Sequence, residues 1–509
     1  MEVLSRMLIK EKSYKNVPDL KIGSLEPHPE KVLQFGEGNF LRGFVDWMFN
    51  RLNSKGLFNG SVVVVQPIKS GLIDVINGQD GLYTLLLRGI QNGTVVNNKE
   101  IITAISRGID LYSGFDEFLQ LAQNPELRVI VSNTTEAGIG YSSTDKPDDR
   151  PPESFPGKLT VFLYHRFKAF DGDINKGFII MPCELIDRNG DNLKEIVLRL
   201  AREWELGNSF EEWIEKANYF MNTLVDRIVT GYPKDEIESI TEMLGYKDNL
   251  VDTGEIFHLW VIEGDKKLEK ELPFREVGLN VIWTDDMEQY RTRKVRILNG
   301  AHTMTVLAAY LYGLNTVEEC IDDKIINAYM KKGIFEEIIP TLSLSEKELK
   351  QYAKDVLERF SNPFIKHYLL SISLNSVSKF KTRVLPSILE YVKRKGNLPQ
   401  VLTFSLAAMF AFYKGESIKD GSLIGKRNGK EYKITDAPDV LNTFLYEWNR
   451  WDGTKTDMEL MCSKLLSRED WWGCDLSIVP GLLDQVSDYL FGITAYGMEK
   501  ILKDMMTGR

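Results

Sequence analysis

Residues 61–68 read Ser-Val-Val-Val-Val-Gln-Pro-Ile, and four successive valines narrow the possible folds more than any other stretch of the chain. β-Branched side chains favour extended backbone, and alternate residues of a strand point to opposite faces. A strand that is apolar on both faces must be covered on both, as strands inside a parallel sheet flanked by helices are. KVLQF (31–35), LRVIVSN (127–133), GFIIMP (177–182) and LNVIW (279–283) are further candidate strands. LRGFVDWMFNRLNSKG (41–56) and KLTVFLYHRFKAF (158–170) carry helical spacing between them. Strands interleaved with helices predict βαβ units, hence an α/β fold with a Rossmann-like parallel sheet.

Strand signals become rare after about residue 284. DDMEQYRTRKVRILNGAHTMTVLAAYLYG opens with Asp285 and Glu288 at capping-box spacing and closes at Gly313, which predicts one long helix. LTFSLAAMFAFY (402–413) is too short to span a bilayer and reads as a buried helix. The 509 residues are therefore expected to form a parallel-sheet domain over 1–280 and a mainly α-helical domain over 281–509.

Sixty-three basic residues against 73 acidic ones give a net charge of −10, the wrong balance for a protein that grips phosphate backbones through massed Lys and Arg. A small molecule is the expected partner, with no nucleic acid and no membrane, and a monomer is compatible with the sequence. The amino-terminal MEVLSRMLIKEKSYK lacks an apolar stretch long enough for a signal-peptide core. Cys183, Cys320, Cys462 and Cys474 are scattered and form no C-x-x-C pair, as expected of buried thiols in a reduced, cytoplasmic protein.

Phe35 is followed by Gly36-Glu37-Gly38-Asn39-Phe40-Leu41-Arg42-Gly43, a glycine turn between a strand and a helix. Glycines at 36 and 38 permit a tight turn and let bare backbone approach a pyrophosphate, and the helix amino terminus offers its free N–H groups to that charge. The third glycine stands at 43, where a G-x-G-x-x-G pattern has it at 41. The second strand ends Gln66-Pro67-Ile68-Lys69, with no Asp or Glu between 55 and 73 to take an adenosine ribose. Lys69 suits a 2′-phosphate, so spacing alone leaves NAD and NADP both open.

Lys294, Asn299 and His302 lie within nine residues of an otherwise apolar helical stretch, at 0°, about 140° and about 80° on an α-helical wheel. All three can face one cleft. Ketone reduction needs a proton for the nascent alkoxide and donors aimed at its oxygen, and a Lys, an amide and an imidazole supply these. Arg291, Arg293 and Arg296 flank Lys294, and like charge is expected to lower its pKa towards the working range. The other histidines, His28, His165, His258 and His367, show no zinc-ligand spacing.

K-x(4)-N-x-x-H at 294–302, Gly36-x-Gly38-x-Phe40-x-Arg42 and Val225-Asp226-Arg227-Ile228 resemble the mannitol dehydrogenase family of long-chain, metal-independent polyol dehydrogenases. SNTTEAG (132–138), LWVIEG (259–264), RFSNP (359–363) and the Lys379, Arg383, Pro386 pattern extend the resemblance over nearly the whole chain. It implies NAD as cofactor, held by Phe35, Gly36, Gly38, Asn39, Phe40, Arg42, Gln66, Asn133 and Glu136. It also implies Lys294 as general acid/base, with Asn299 and His302 polarising the substrate oxygen and Lys379 contacting substrate. PCELIDRNG (182–190) and SISLNSVSKFKTRVLP (371–386) resemble family members that interconvert D-tagaturonate and D-altronate; fructuronate reductases and mannitol- or arabinitol-type dehydrogenases are the alternative.

The polyol members carry Glu three residues before the lysine, where this chain has Arg291. They carry Cys-Asp-Asn where it has Cys183-Glu184-Leu185, which removes one expected holder of the reacting oxygen. An arginine gives a uronate carboxylate a bidentate clamp where a glutamate would repel it, so Arg291 is a candidate substrate ligand. Asp226-Arg227 reads as a buried ion pair, Glu263 as part of a proton route or a ribose contact, Trp471-Trp472 as packing, and Asn189-Gly190 as a turn.

Overall fold

The structure, a computed structural model, describes residues 1–11, 17–134 and 138–508. The chain divides into two compact units, Met1–Met287 and Glu288–Arg509.

The first unit is built on a six-stranded parallel sheet. Its strands are β1 (Glu30–Phe35), β2 (Ser61–Gln66), β3 (Ile105–Asp110), β4 (Val129–Ser132), β5 (Ile179–Pro182) and β6 (Tyr219–Phe220), in the order β3-β2-β1-β4-β5-β6. The chain runs outward from β1 to β3, then returns to β4 on the other side of β1. The order therefore reverses between β1 and β4, which is where ligands bind in open α/β sheets. The valines of β2 show why the sheet is covered twice. Val62 and Val64 enter a core with Phe44, Met48 and Trp260, while Val63 and Val65 enter another with Phe118, Leu159 and Phe162. Each buried valine contributes about 1.5–3 kcal/mol, and a polar residue at any of them would forfeit that.

Two smaller sheets complete this unit. A hairpin, Tyr83–Gln91 with Thr94–Ile102, turns at Asn92-Gly93, whose φ values of 53° and 74° mark a type I′ turn. Val281–Thr284, expected in the parallel sheet, instead pairs with Leu259–Glu263 in a three-stranded sheet of its own. Asn189-Gly190 is not a turn. Arg188 bends the backbone at φ 49°, and the buried Asn189 amide then donates to the carbonyls of Pro182, Glu184 and Thr223 as the helix Asn189–Glu203 begins. Arg227 spends its guanidinium on carbonyls, those of Gly43, Ile256 and Phe257, and lies 4.1 Å over the ring of Trp47. Glu263 pairs with Arg188 at 3.0 Å and accepts from Asn222 and the Met287 N–H.

The second unit is mainly helical. Its first helical run continues from Glu288–Arg293 through a π turn, Lys294–Asn299, into α2 (Gly300–Tyr312), and stops at Gly313 with φ 130°. Asp285, expected to cap it, pairs with Lys266 at 2.6 Å. The apolar helix Gln400–Phe412 is buried almost throughout, and the carboxylate of Glu337 accepts the N–H groups of Val401 and Leu402 at 2.9 Å each. Among the described residues no helix is long and apolar enough to cross a membrane. The sequence reading missed a three-stranded meander, Gly415–Lys419, Ser422–Arg427 and Lys430–Ile434. Its turns are Asp420-Gly421 and Asn428-Gly429, all four residues at positive φ, the strongest short-range hairpin signal in this half of the chain. Trp471 and Trp472 are buried and packed edge to face at 6.0 Å.

Candidate active site

In the first unit the glycine turn lies at the carboxyl end of β1, at the switch point. Gly36 has φ 114°, and a Cβ there would stand 3.0 Å from the Asn133 carbonyl, so only glycine fits. The Gly36 N–H donates to Val65 O, and the Asn133 N–H to Phe35 O, which pins the turn between the ends of β2 and β4. The Asn133 side chain donates to Cys183 O at 2.7 Å. Gly38 caps the helix that starts at Asn39, and a Cβ on it would meet nothing within 4 Å.

Around the turn is a cleft of about 370 Å³ whose walls include Gly36, Glu37, Gly38, Pro67, Ile68, Asn133 and Thr134. The far wall is the amino terminus of helix α1 (Phe155–Ala169), capped by Ser154, whose hydroxyl accepts the Gly157 N–H. Two helix amino termini and bare glycine backbone at a switch point are the donor set that a pyrophosphate needs, so a dinucleotide fits these residues. Lys158, on the first turn of α1, adds a cation whose pKa burial lowers to about 8. Sequence reading missed Ser154 and Lys158, because the Pro- and Asp-rich stretch before them reads as loop through 158 whereas α1 already begins at Phe155.

The other predicted cofactor residues divide. Phe40 stacks on Phe44 with ring centroids 5.1 Å apart and remains partly exposed beside the turn. Arg42 is turned inward. Its guanidinium donates to Glu37 O, Leu250 O and Asn39 Oδ1 and lies 5.2 Å over the ring of Tyr83, so it braces the turn from beneath. Gln66 is also buried and donates to Ile68 O, which shapes the loop after β2. Phe35 packs between Phe118 and Phe155 under the turn. Glu136 lies outside the described residues. Glu184 is buried and accepts from Ser132, the Thr134 hydroxyl and the Thr134 N–H, so it fixes the loop after β4.

In the second unit Lys294 opens the π turn and Asn299 closes it. A π turn carries more residues than an α turn, so the separation of about 140° between these two side chains on an α-helical wheel narrows. His302 follows one turn later. Its ring stacks on Phe360 at 4.2 Å and 18°, and meets His367 edge-on at 5.1 Å. Its Nε2 is buried without a hydrogen-bond partner among the described residues. Burial, then His367, Arg359, Arg383 and Lys379, push its pKa well below the usual histidine range, so the ring is neutral at pH 7.

The arginines beside Lys294 have partners of their own. Arg293 is buried against Tyr290 and Tyr352 and pairs with Glu348 at 2.9 Å, Arg296 donates to Thr382 O, and Arg291 stands 3.5 Å from Glu288. Lys379 and Arg383 are one turn apart on Ser376–Arg383, and burial lowers the pKa of both. Lys379 Nζ donates to Ile372 O. This helix reaches the π turn closely: a Cβ on Gly300 would stand 3.1 Å from Arg383 O. Lys381, on the same helix, turns to Gly473 instead. Arg359, Phe360, His367 and Arg383 were not predicted as site residues, although RFSNP at 359–363 held the first two within a noted motif and the Lys379, Arg383, Pro386 pattern held the last. Among the described residues no three His, Cys, Asp or Glu side chains form a metal-ligand group.

Known proteins resemble the chain along its whole length. A model of the mannitol dehydrogenase Rossmann domain matches residues 30–276, and one of the mannitol dehydrogenase C-terminal domain matches 286–492. An altronate oxidoreductase of Bacillus subtilis (strain 168) is 48% identical over 476 residues, covering 94% of this chain and 95% of that protein. One from Escherichia coli O6:K15:H31 (strain 536 / UPEC) is 47% identical over 479 residues, covering 94% and 97%. Mannitol 2-dehydrogenase of Pseudomonas fluorescens, solved as a ternary complex with NAD and D-mannitol, shares the fold with a TM-score of 0.66 at 21% identity and full coverage of both chains. A substrate-free D-sorbitol dehydrogenase gives 0.79 at 20% identity, covering 98% of this chain and all of that one.

Proposed function

This chain belongs to the mannitol dehydrogenase family, and from that premise we propose that it interconverts D-tagaturonate and D-altronate with NAD, the first unit holding the cofactor and the second the proton-transfer residues. The observation that carries the reading is the near-complete match, at 47–48% identity, to altronate oxidoreductases. The bound nicotinamide supplies the hydride in one direction and accepts it in the other. Every other task falls to side chains. Lys294 donates a proton to the oxygen of the ketone as it becomes an alkoxide, and takes it back in oxidation. Asn299 donates from its amide to the same oxygen. His302, neutral, donates from one ring nitrogen, and the unpartnered Nε2 supports this role. Donors already held in place cost little reorganisation when charge develops.

The uronate carboxylate needs cations that a neutral polyol does not. Lys379 supplies one, and Arg291 a second through its planar fork. Arg383, one turn from Lys379, extends the same basic face. Cofactor binding uses the backbone of Gly36 and Gly38, the turn held by Asn39, Arg42 and Asn133, and the edge of Phe40.

The test is a substrate screen on the purified chain with NAD, following reduced nicotinamide. D-Altronate should be oxidised with kcat/KM at least about a hundredfold above D-mannitol or D-arabinitol, the scale of one lost charged hydrogen-bond pair. Equal or faster oxidation of a neutral polyol refutes the assignment, and a preference for D-mannonate moves it to fructuronate reduction.

A further inference from the structure

The second strand of a dinucleotide-binding sheet commonly ends in an acid that accepts from the adenosine ribose, and β2 ends instead in Gln66-Pro67-Ile68-Lys69. A carboxylate is nonetheless present at that place. Glu37, between the two glycines of the turn, folds back towards the end of β2. A Cβ built on Gly71 would meet Glu37 Oε1 at 2.0 Å and Gln66 Oε1 at 2.4 Å, so the two side chains converge on one point and Gly71 leaves them the room. Burial pushes the Glu37 carboxyl pKa up from its usual range, while the Leu72 N–H that donates to the carboxylate and the nearby Arg42 work against that rise. Glu37 is 7% exposed and lines the same cleft as Gly36, Gly38, Pro67 and Ile68.

We propose that Glu37 is the cofactor-specificity residue of this chain: from the glycine turn it accepts the adenosine ribose hydroxyls that a strand-end acid would take, and it excludes a 2′-phosphate. The inference rests on the reading that a nicotinamide dinucleotide occupies this cleft. A 2′-phosphate would bring about two negative charges against a partly desolvated carboxylate, where repulsion is weakly screened. Lys69, the cation that the sequence suggests for that phosphate, is exposed and lies 5.9 Å over the ring of Tyr112. Beside it the adjoining hollow carries Asp145, Asp149 and Glu153, so the surroundings are acidic even there. The signal is visible in the sequence only afterwards, because acids are sought at the end of the second strand and this one sits before the first helix.

The experiment is direct titration of NADH and NADPH into the purified chain and into Glu37→Gln, Glu37→Asp and Lys69→Ala, read by nicotinamide fluorescence and calorimetry, with Tm recorded for each. Wild type should bind NADH at least about a hundredfold more tightly than NADPH. Glu37→Gln should weaken NADH about tenfold and strengthen NADPH, shrinking the ratio, whereas Glu37→Asp keeps the charge and most of the preference. Lys69→Ala should leave the ratio unchanged. A wild type that binds neither dinucleotide defeats the functional reading itself. A wild type that prefers NADPH, a ratio unmoved in folded Glu37→Gln, or a selective loss of NADPH in Lys69→Ala overturns the assignment of Glu37 alone.

Discussion

Replacing His302 by Phe separates its ring from its nitrogens. The ring packs flat on Phe360 at 4.2 Å with His367 at its edge, and a phenyl group preserves both contacts. What disappears is the buried Nε2 and its partner nitrogen. Loss of one preorganised donor to a developing oxyanion lowers kcat by about 10²–10³, or about 3–4 kcal/mol of transition-state stabilisation. KM for the uronate should change far less, since the bond strengthens only as the oxygen gains charge. The pH dependence sharpens the test. Burial and the surrounding cations hold the ring neutral through the physiological range, so the ratio of wild-type to His302→Phe kcat should stay flat between about pH 6 and pH 9. Steady-state kinetics across that range, with Tm as the folding control, reads all of this. A variant within about threefold of wild type refutes the donor role. A ratio that falls about tenfold per pH unit above pH 6.5 would instead mean that the protonated ring is the working form.

Lys294→Ala should abolish turnover while NADH still binds, and a loss of both together in a folded variant would contradict the division of labour between the units. Arg291→Glu should weaken D-tagaturonate reduction far more than reduction of an uncharged ketose, and equal losses in steady-state assays would remove the carboxylate clamp. Glu337, buried beneath the helix Gln400–Phe412, has its carboxyl pKa raised from 4.5 to about 7, burial outweighing the two N–H bonds and Lys332. A raised carboxyl favours the protonated folded form, so its stabilisation is complete below pH 4.5 and is lost as pH rises through about 7, on the order of 3 kcal/mol. Denaturation of Glu337→Gln should therefore show a shallower fall in stability across that window than wild type, and parallel curves would refute the raised value.

The parallel sheet was legible because its strands are buried on both faces, so each announces itself by composition alone: Val62 to Val65 need no partner to be recognised. The two hairpin systems were not, since alternating strands such as Lys430–Ile434 hide their apolar residues among charges. Their Asp-Gly and Asn-Gly turns were the remaining clue. At the candidate site the helix bearing Lys294, Asn299 and His302 was legible as a run, but its π turn was not, because nothing in Lys-Val-Arg-Ile-Leu-Asn departs from α-helical spacing. The directions of Arg42 and Arg293 were equally hidden. An arginine near a glycine turn or a lysine reads as a ligand-binding cation until the carbonyls and the Glu348 carboxylate that engage it are brought up from distant parts of the chain.

The widened turn at Lys294–Asn299 also makes the spacing of these residues tolerant in one direction and fragile in the other. It accommodates one residue beyond what an ordinary helix would hold, so deleting a single position among 295–298 would let the ladder close as uniform α-helix. The protein would keep its helix and its core, and Lys294 would keep its direction relative to His302 to within about 10°, because the widened turn and one fewer residue of α-helix sweep nearly the same angle. Such a shortened chain should remain folded and keep these side chains on one face, whereas one residue added between Asn299 and His302 would turn His302 by about 100° away from Lys294, a loss of chemistry by rotation with no side chain removed.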